Sequence, residues 1–168
     1  APGGPEEDPS NGFAQGGWAM PFADEAAGRV IGEIIAGPFD MLLGRRTYQI
    51  FAGYWPQHGD NPIGAAFNRA RKYVVTRSLD RLDWQNAEPV GGEVGAAVRR
   101  LKAGEGPALQ VWGSGQLLQS LIAAGLVDEH RLWVFPMLLG QGKRLFEPGL
   151  PPRRLAPAGA RHADHLPG

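Results

Sequence analysis

Cysteine is absent from all 168 residues. That excludes a disulfide, a thiolate metal site and a cysteine nucleophile, and it is what a cytoplasmic protein is expected to show. Net charge is absent too, because 17 basic and 17 acidic side chains cancel. A chain without a basic excess has no global electrostatic reason to hold nucleic acid or an anionic membrane surface. No apolar run approaches the roughly 20 residues of a membrane span. The opening stretch, residues 1–12, is acidic and rich in Pro and Gly. It has neither the basic nor the apolar part of a signal peptide. No unit recurs at a solenoid period.

What is present suits one domain with one core. Apolar residues make up 43% and charged residues 20%, the balance of a globular chain rather than a disordered one. Residues 1–17 read as a flexible loop and 149–168 as a disordered tail, both without apolar periodicity. Residues 1–148 are then a single domain. Phe22, Ala26, Val30, Ile34 and Ile35 share one face of a helix predicted over Pro21–Ala36. Further helices are predicted over Arg45–Phe51, Ile63–Ala70, Glu93–Lys102 and Leu117–Ala124. Short apolar runs predict strands at Phe39–Leu43, Tyr73–Thr76, Leu109–Trp112 and Arg131–Met137, with a weaker strand pattern over Asp83–Val90. Helix and strand alternate, so the expected class is an α/β three-layer sandwich around a mostly parallel sheet. Ligands bind such sheets at the carboxyl edge, where strands turn into helices.

Three of these junctions carry residues suited to phosphate. The first is Gly44-Arg45-Arg46-Thr47, which offers free helix N–H groups, a hydroxyl and two guanidiniums. A solvated helix start is the plain alternative. The second is Thr76-Arg77-Ser78, with two hydroxyls and one guanidinium, or simply a surface turn. The third is Gly113-Ser114-Gly115-Gln116-Leu117, where two glycines permit close backbone approach to a pyrophosphate. It lacks the third glycine of the G-x-G-x-x-G fingerprint, and the chain has no G-x-x-x-x-G-K-[ST] loop.

Taken together, Gly44–Tyr48, Tyr73–Arg77, Gly113–Leu117 and Phe135–Phe146 resemble the dihydrofolate-reductase-like family. The group they resemble is the one related to the reductase domain of the bifunctional riboflavin-biosynthesis deaminase-reductase. The resemblance runs from about Gly12 to Phe146. It implies NADPH as cofactor, with Arg45 at the adenosine 2′-phosphate and Arg46 and Thr47 at the phosphates. It implies that Thr76, Arg77 and Ser78 flank the adenosine and that Gly113, Ser114, Gly115, Gln116 and Leu117 cradle the pyrophosphate. The implied substrate is a planar heterocycle, either a pterin or a pyrimidine intermediate of riboflavin synthesis. The implied assembly is a homodimer using Phe135–Phe146. Members of the family also have a buried strand before the first loop and one or two strands after the Leu-Phe motif. Residues 1–17 and 149–168 carry no strand pattern, so the sheet is expected to lack them.

Asp24 is the candidate proton donor, with stabilisation of the helix start as the alternative. Trp18 and Trp55 are candidates for a flat substrate pocket, with core or loop anchoring the alternative. His162, Asp164 and His165 read as exposed tail residues rather than a metal site. Two rival functions remain. One is a non-catalytic dinucleotide-binding or interaction module. The other is a Rossmann dehydrogenase, which the incomplete glycine motif and Arg77 in place of a ribose-binding acid disfavour.

Overall fold

The computed structural model describes residues 13, 15–78, 81–140 and 142–160. Expectations for residues 1–12 and 161–168, including the His162–His165 reading, lie outside the described residues. A short 3-10 turn (Met20–Phe22) leads into α1 (Glu25–Ala36), β1 (Phe39–Gly44), α2 (Arg45–Tyr54) and α3 (Pro62–Arg69). There follow β2 (Lys72–Val75), β3 (Ala87–Val90), α4 (Val94–Ala103), β4 (Ala108–Gln110) and α5 (Gly115–Ala123).

The four strands form one parallel sheet in the order β3-β2-β1-β4. β1 is central because its residues are apolar on both faces. Phe39, Met41 and Leu43 join Ile35 of α1, Tyr48 of α2, Phe67 of α3 and Val74 of β2 in one core layer. Leu42 turns the other way, toward Val98 of α4 and Leu117 and Leu121 of α5. A near-continuous apolar run is what a doubly covered parallel strand requires. Met41, Leu43 and Val74 are fully buried, each contributing about 1.5–3 kcal/mol by the burial alone. The result is the expected three-layer α/β sandwich.

The helix ends follow local chemistry. Asp24 caps α1 by accepting from the Ala27 N–H at 2.7 Å. Asn61 caps α3 through the Ile63 N–H at 2.8 Å. Glu93 caps α4, accepting from Gly95 and Ala96 at 2.8 and 2.6 Å. At the end of α5, Gly125 N donates to Ile122 O and Leu126 N to Leu121 O, closing the helix with paired turn hydrogen bonds.

Two expectations are corrected. The pattern over Asp83–Val90 forms a strand only at Ala87–Val90, because Trp84, Gln85 and Asn86 are drawn into contacts with α3. Arg131–Met137 alternates like a strand but is not one. A strand needs a ladder partner, and among the described residues β4 pairs only with β1. The segment instead tucks Phe135 between Trp18 and Phe22, with ring centroids 5.2 and 5.3 Å away. Leu132, Trp133 and Val134 are left exposed.

Candidate cofactor site

Strand order creates the site. From β1 the chain builds outward through β2 to β3, then crosses back to lay β4 on the other side of β1. The helices that follow β1 and β4, α2 and α5, cover opposite faces of the sheet, the arrangement that opens a crevice at the strands' carboxyl ends. The register aligns Gly44 with Val75 and Val75 with Val90, so the first and second junctions start level.

The three sequence-predicted junctions meet here. Gly44 N donates to Ser114 Oγ at 2.8 Å, joining the first junction to the third across 70 positions. A Cβ on Gly113 would lie 3.5 Å from Thr47 Cγ2, so the third junction packs on the first turn of α2. Arg45 Nη1 donates to Ser78 Oγ at 2.8 Å, joining the first junction to the second. Ser78 N in turn donates to Thr76 Oγ1 at 3.2 Å. Arg45, Arg46, Arg77, Gly113, Gly115 and Gln116 are exposed, while Leu117 is buried and anchors α5 to the core.

Electrostatics single out this corner. α1, α3 and α4 each have a side chain over their N-terminal N–H groups, but α2 and α5 have none and carry no acid in their first turns. Two positive helix ends therefore lie together with no side-chain cap over either, an arrangement that favours an anion. Gly113, at φ 76°, and Ser114, at φ 64°, make the sharp turn that brings the backbone there. A concavity of about 560 Å³ lies at the opposite, amino edge of the sheet, lined by Gly37, Asp40, Ala70, Arg71 and Glu88 among others. Helices α1 and α3 end there, and their carbonyl ends repel phosphate.

The remaining candidates have other partners. Asp24 serves as the α1 cap. Trp18 packs edge-on against Phe135. Trp55 packs against Phe51, Tyr54 and Phe67 beside the main core. Among the described residues no group of three or more His, Asp or Glu could hold a metal. No helix among them is long and apolar enough to cross a membrane.

The link between Gly44 and Ser114 had no signal in the sequence. Nor did the cluster around Lys72, whose Nζ donates to Asn68 O at 2.9 Å and Gln85 O at 3.0 Å and lies 4.3 Å from the Trp84 ring centroid.

The family described as the RibD C-terminal domain matches residues 12–165. The chain belongs to that family. Over 110 residues it is also 31% identical to YyaP, an uncharacterized protein of Bacillus subtilis (strain 168). That similarity covers 63% of this chain and 58% of YyaP. RibD C-terminal domains have a reductase-like fold, and the α/β architecture here is consistent with the dihydrofolate-reductase-like sandwich.

Proposed function

We propose that this RibD C-terminal domain is an NADPH-dependent reductase of a planar heterocycle. The observation that carries this reading is the convergence of three junctions on two uncapped helix starts at the β1–β4 crevice. Gly44 and Gly113 let the junctions pack on Ser114 and Thr47, and Gly115, where a Cβ would meet nothing within 4 Å, leaves room for a pyrophosphate to come close to backbone. The guanidiniums of Arg45 and Arg77, with Ser78, suit the adenosine 2′-phosphate. Arg46 and Thr47 suit the phosphates at the α2 start. Thr76 orders the turn that carries Ser78. When bound, NADPH supplies the hydride. Asp24 is the nearest family match for a proton donor. As its carboxylate already accepts from Ala27 N, proton delivery through water is the simpler route in this chain. Pterins and pyrimidine intermediates of riboflavin synthesis are the substrate classes to screen.

The test is a titration with NADPH and with NADH, followed by nicotinamide fluorescence. Tighter binding of NADPH is expected. Arg45→Ala should weaken NADPH about 10- to 100-fold, the range of a charge-assisted hydrogen bond of about 1.5–3 kcal/mol. It should leave NADH nearly unchanged. Equal affinity for the two cofactors, or no binding of either, removes this reading.

A second reading, a dinucleotide-binding module without turnover, is favoured by the capping role of Asp24 and the packed rings of Trp18 and Trp55. NADPH binding without NADPH oxidation across the substrate screen would select it. We also infer a homodimer, because Leu132, Trp133, Val134, Met137 and Leu138 form an exposed apolar band that a second copy would cover.

A further inference from the structure

Ser114 occupies the N-cap position of α5 yet does not cap it. Its carbonyl accepts the first helical hydrogen bond, from Leu118 N at 2.9 Å. A serine in this position ordinarily has extended backbone and turns its hydroxyl onto its own helix. Here the backbone is left-handed, φ 64° and ψ 55°, a conformation that non-glycine residues seldom adopt. The side chain makes no capping bond to α5. It reaches the neighbouring junction instead and accepts from Gly44 N.

That N–H is otherwise short of a partner. The β1–β4 ladder runs from Phe39 with Ala108 to Met41 with Gln110 and goes no further. Beyond Gln110 the two strands part, and Gly44 has no ladder carbonyl on that side. The Ser114 hydroxyl takes the place of the carbonyl. It spans a gap that backbone pairing would have closed. Space for it depends on Gly44, since a Cβ there would lie 3.3 Å from Ser114 Oγ.

We infer that Ser114 is a positioning residue for the anion cradle, and this rests on the cofactor reading above. Its hydroxyl holds the β1–α2 and β4–α5 junctions at a fixed separation. By turning away from α5, it leaves the N–H groups of that helix's first turn free to receive a pyrophosphate. The left-handed conformation makes both possible, and a strained residue at a binding site fits that use.

The experiment compares the wild-type chain with Ser114→Gly, which keeps the left-handed turn without strain but loses the hydroxyl. Each protein is titrated with NADPH and with adenosine 2′-phosphate, which lacks the pyrophosphate, and melted by circular dichroism. Ser114→Gly is expected to weaken NADPH about tenfold or more while leaving adenosine 2′-phosphate within about twofold. Its melting temperature should stay close to wild type, because relief of strain offsets the lost hydrogen bond. Unchanged NADPH affinity overturns the inference. So does a parallel loss of both ligands with a lowered melting temperature, which marks a merely structural residue. Failure of the wild-type chain to bind either ligand overturns the cofactor reading itself, and this inference with it.

Discussion

Lys72 is the most unusual single residue of the fold. It opens a central strand and has 0% of its surface exposed. Burial pushes its pKa down to about 8, while the carbonyls of Asn68 and Gln85 and the Trp84 face favour the charged form. With a folded pKa below that of free lysine, the unfolded chain binds the proton more tightly. Stability should therefore rise as pH climbs from about 8 toward the ordinary value of 10.5. Urea unfolding at several pH values should show that slope in the wild type and its loss in Lys72→Met. An identical slope in both proteins would remove Lys72 as its source. None of this was legible in the sequence. The apolar run suggested a strand starting at Tyr73, and a lysine at its edge reads as solvated. Its acceptors come from α3 and from a loop after β2, and only the folded chain brings them together. The same holds for the hydrogen bond from Gly44 to Ser114, whereas Arg45, Thr47, Arg77, Ser114 and its flanking glycines stood out as candidates because motifs are local.

Helices and buried strands were read well because their signals are also local. Periodic apolar positions and short closed runs located α1 to α5 and β1, β2 and β4 to within a few residues. Capping sharpened the ends. Glu93 is the clearest case, since the N–H groups of Gly95 and Ala96 hold its carboxyl below the usual carboxylate range. A depressed folded pKa gives stability that is present above the unfolded pKa and lost as pH falls through the folded one. Glu93→Gln should thus lower the melting temperature at neutral pH, and the difference should fade on acidification. A pH-independent difference would point to another cause. In α3, Gly64 lies so close to the His58 carbonyl that a Cβ would overlap it. Gly64→Ala should destabilise by about 2 kcal/mol or more in chemical denaturation, because backbone must move. A neutral substitution would show that the turn after α2 is free to shift. What sequence could not decide was Arg131–Met137. Its alternation is strand-like, but strand formation depends on a neighbour elsewhere in the chain or beyond it.

At the scale of the whole molecule, the sheet ends at β4 with an unpaired edge among the described residues, and an apolar band lies over Leu132–Leu138. Val134 is 89% exposed and Leu138 fully so. If a second copy covers them, Val134→Lys should shift the sedimenting species from dimer to monomer with little change in helix content. A wild-type chain that already sediments as a monomer would rule out this band as the self-association surface. The α/β class could be inferred from the alternation of elements, whereas the strand order β3-β2-β1-β4 has no local signal in the sequence and is known only from the fold.

β1 sits between one partner that follows it closely, β2, and another, β4, that arrives only after β3 and α4. Contacts distant in sequence are slow to form, because the intervening chain must first be closed into a loop. The link from Gly44 to Ser114, across 70 positions, is then expected to form late in refolding, after the folding transition state. A bound dinucleotide should accordingly slow unfolding in proportion to its affinity, yet leave the refolding rate almost unchanged. Stopped-flow traces with and without NADPH would show one arm of the kinetic profile moving while the other stays in place.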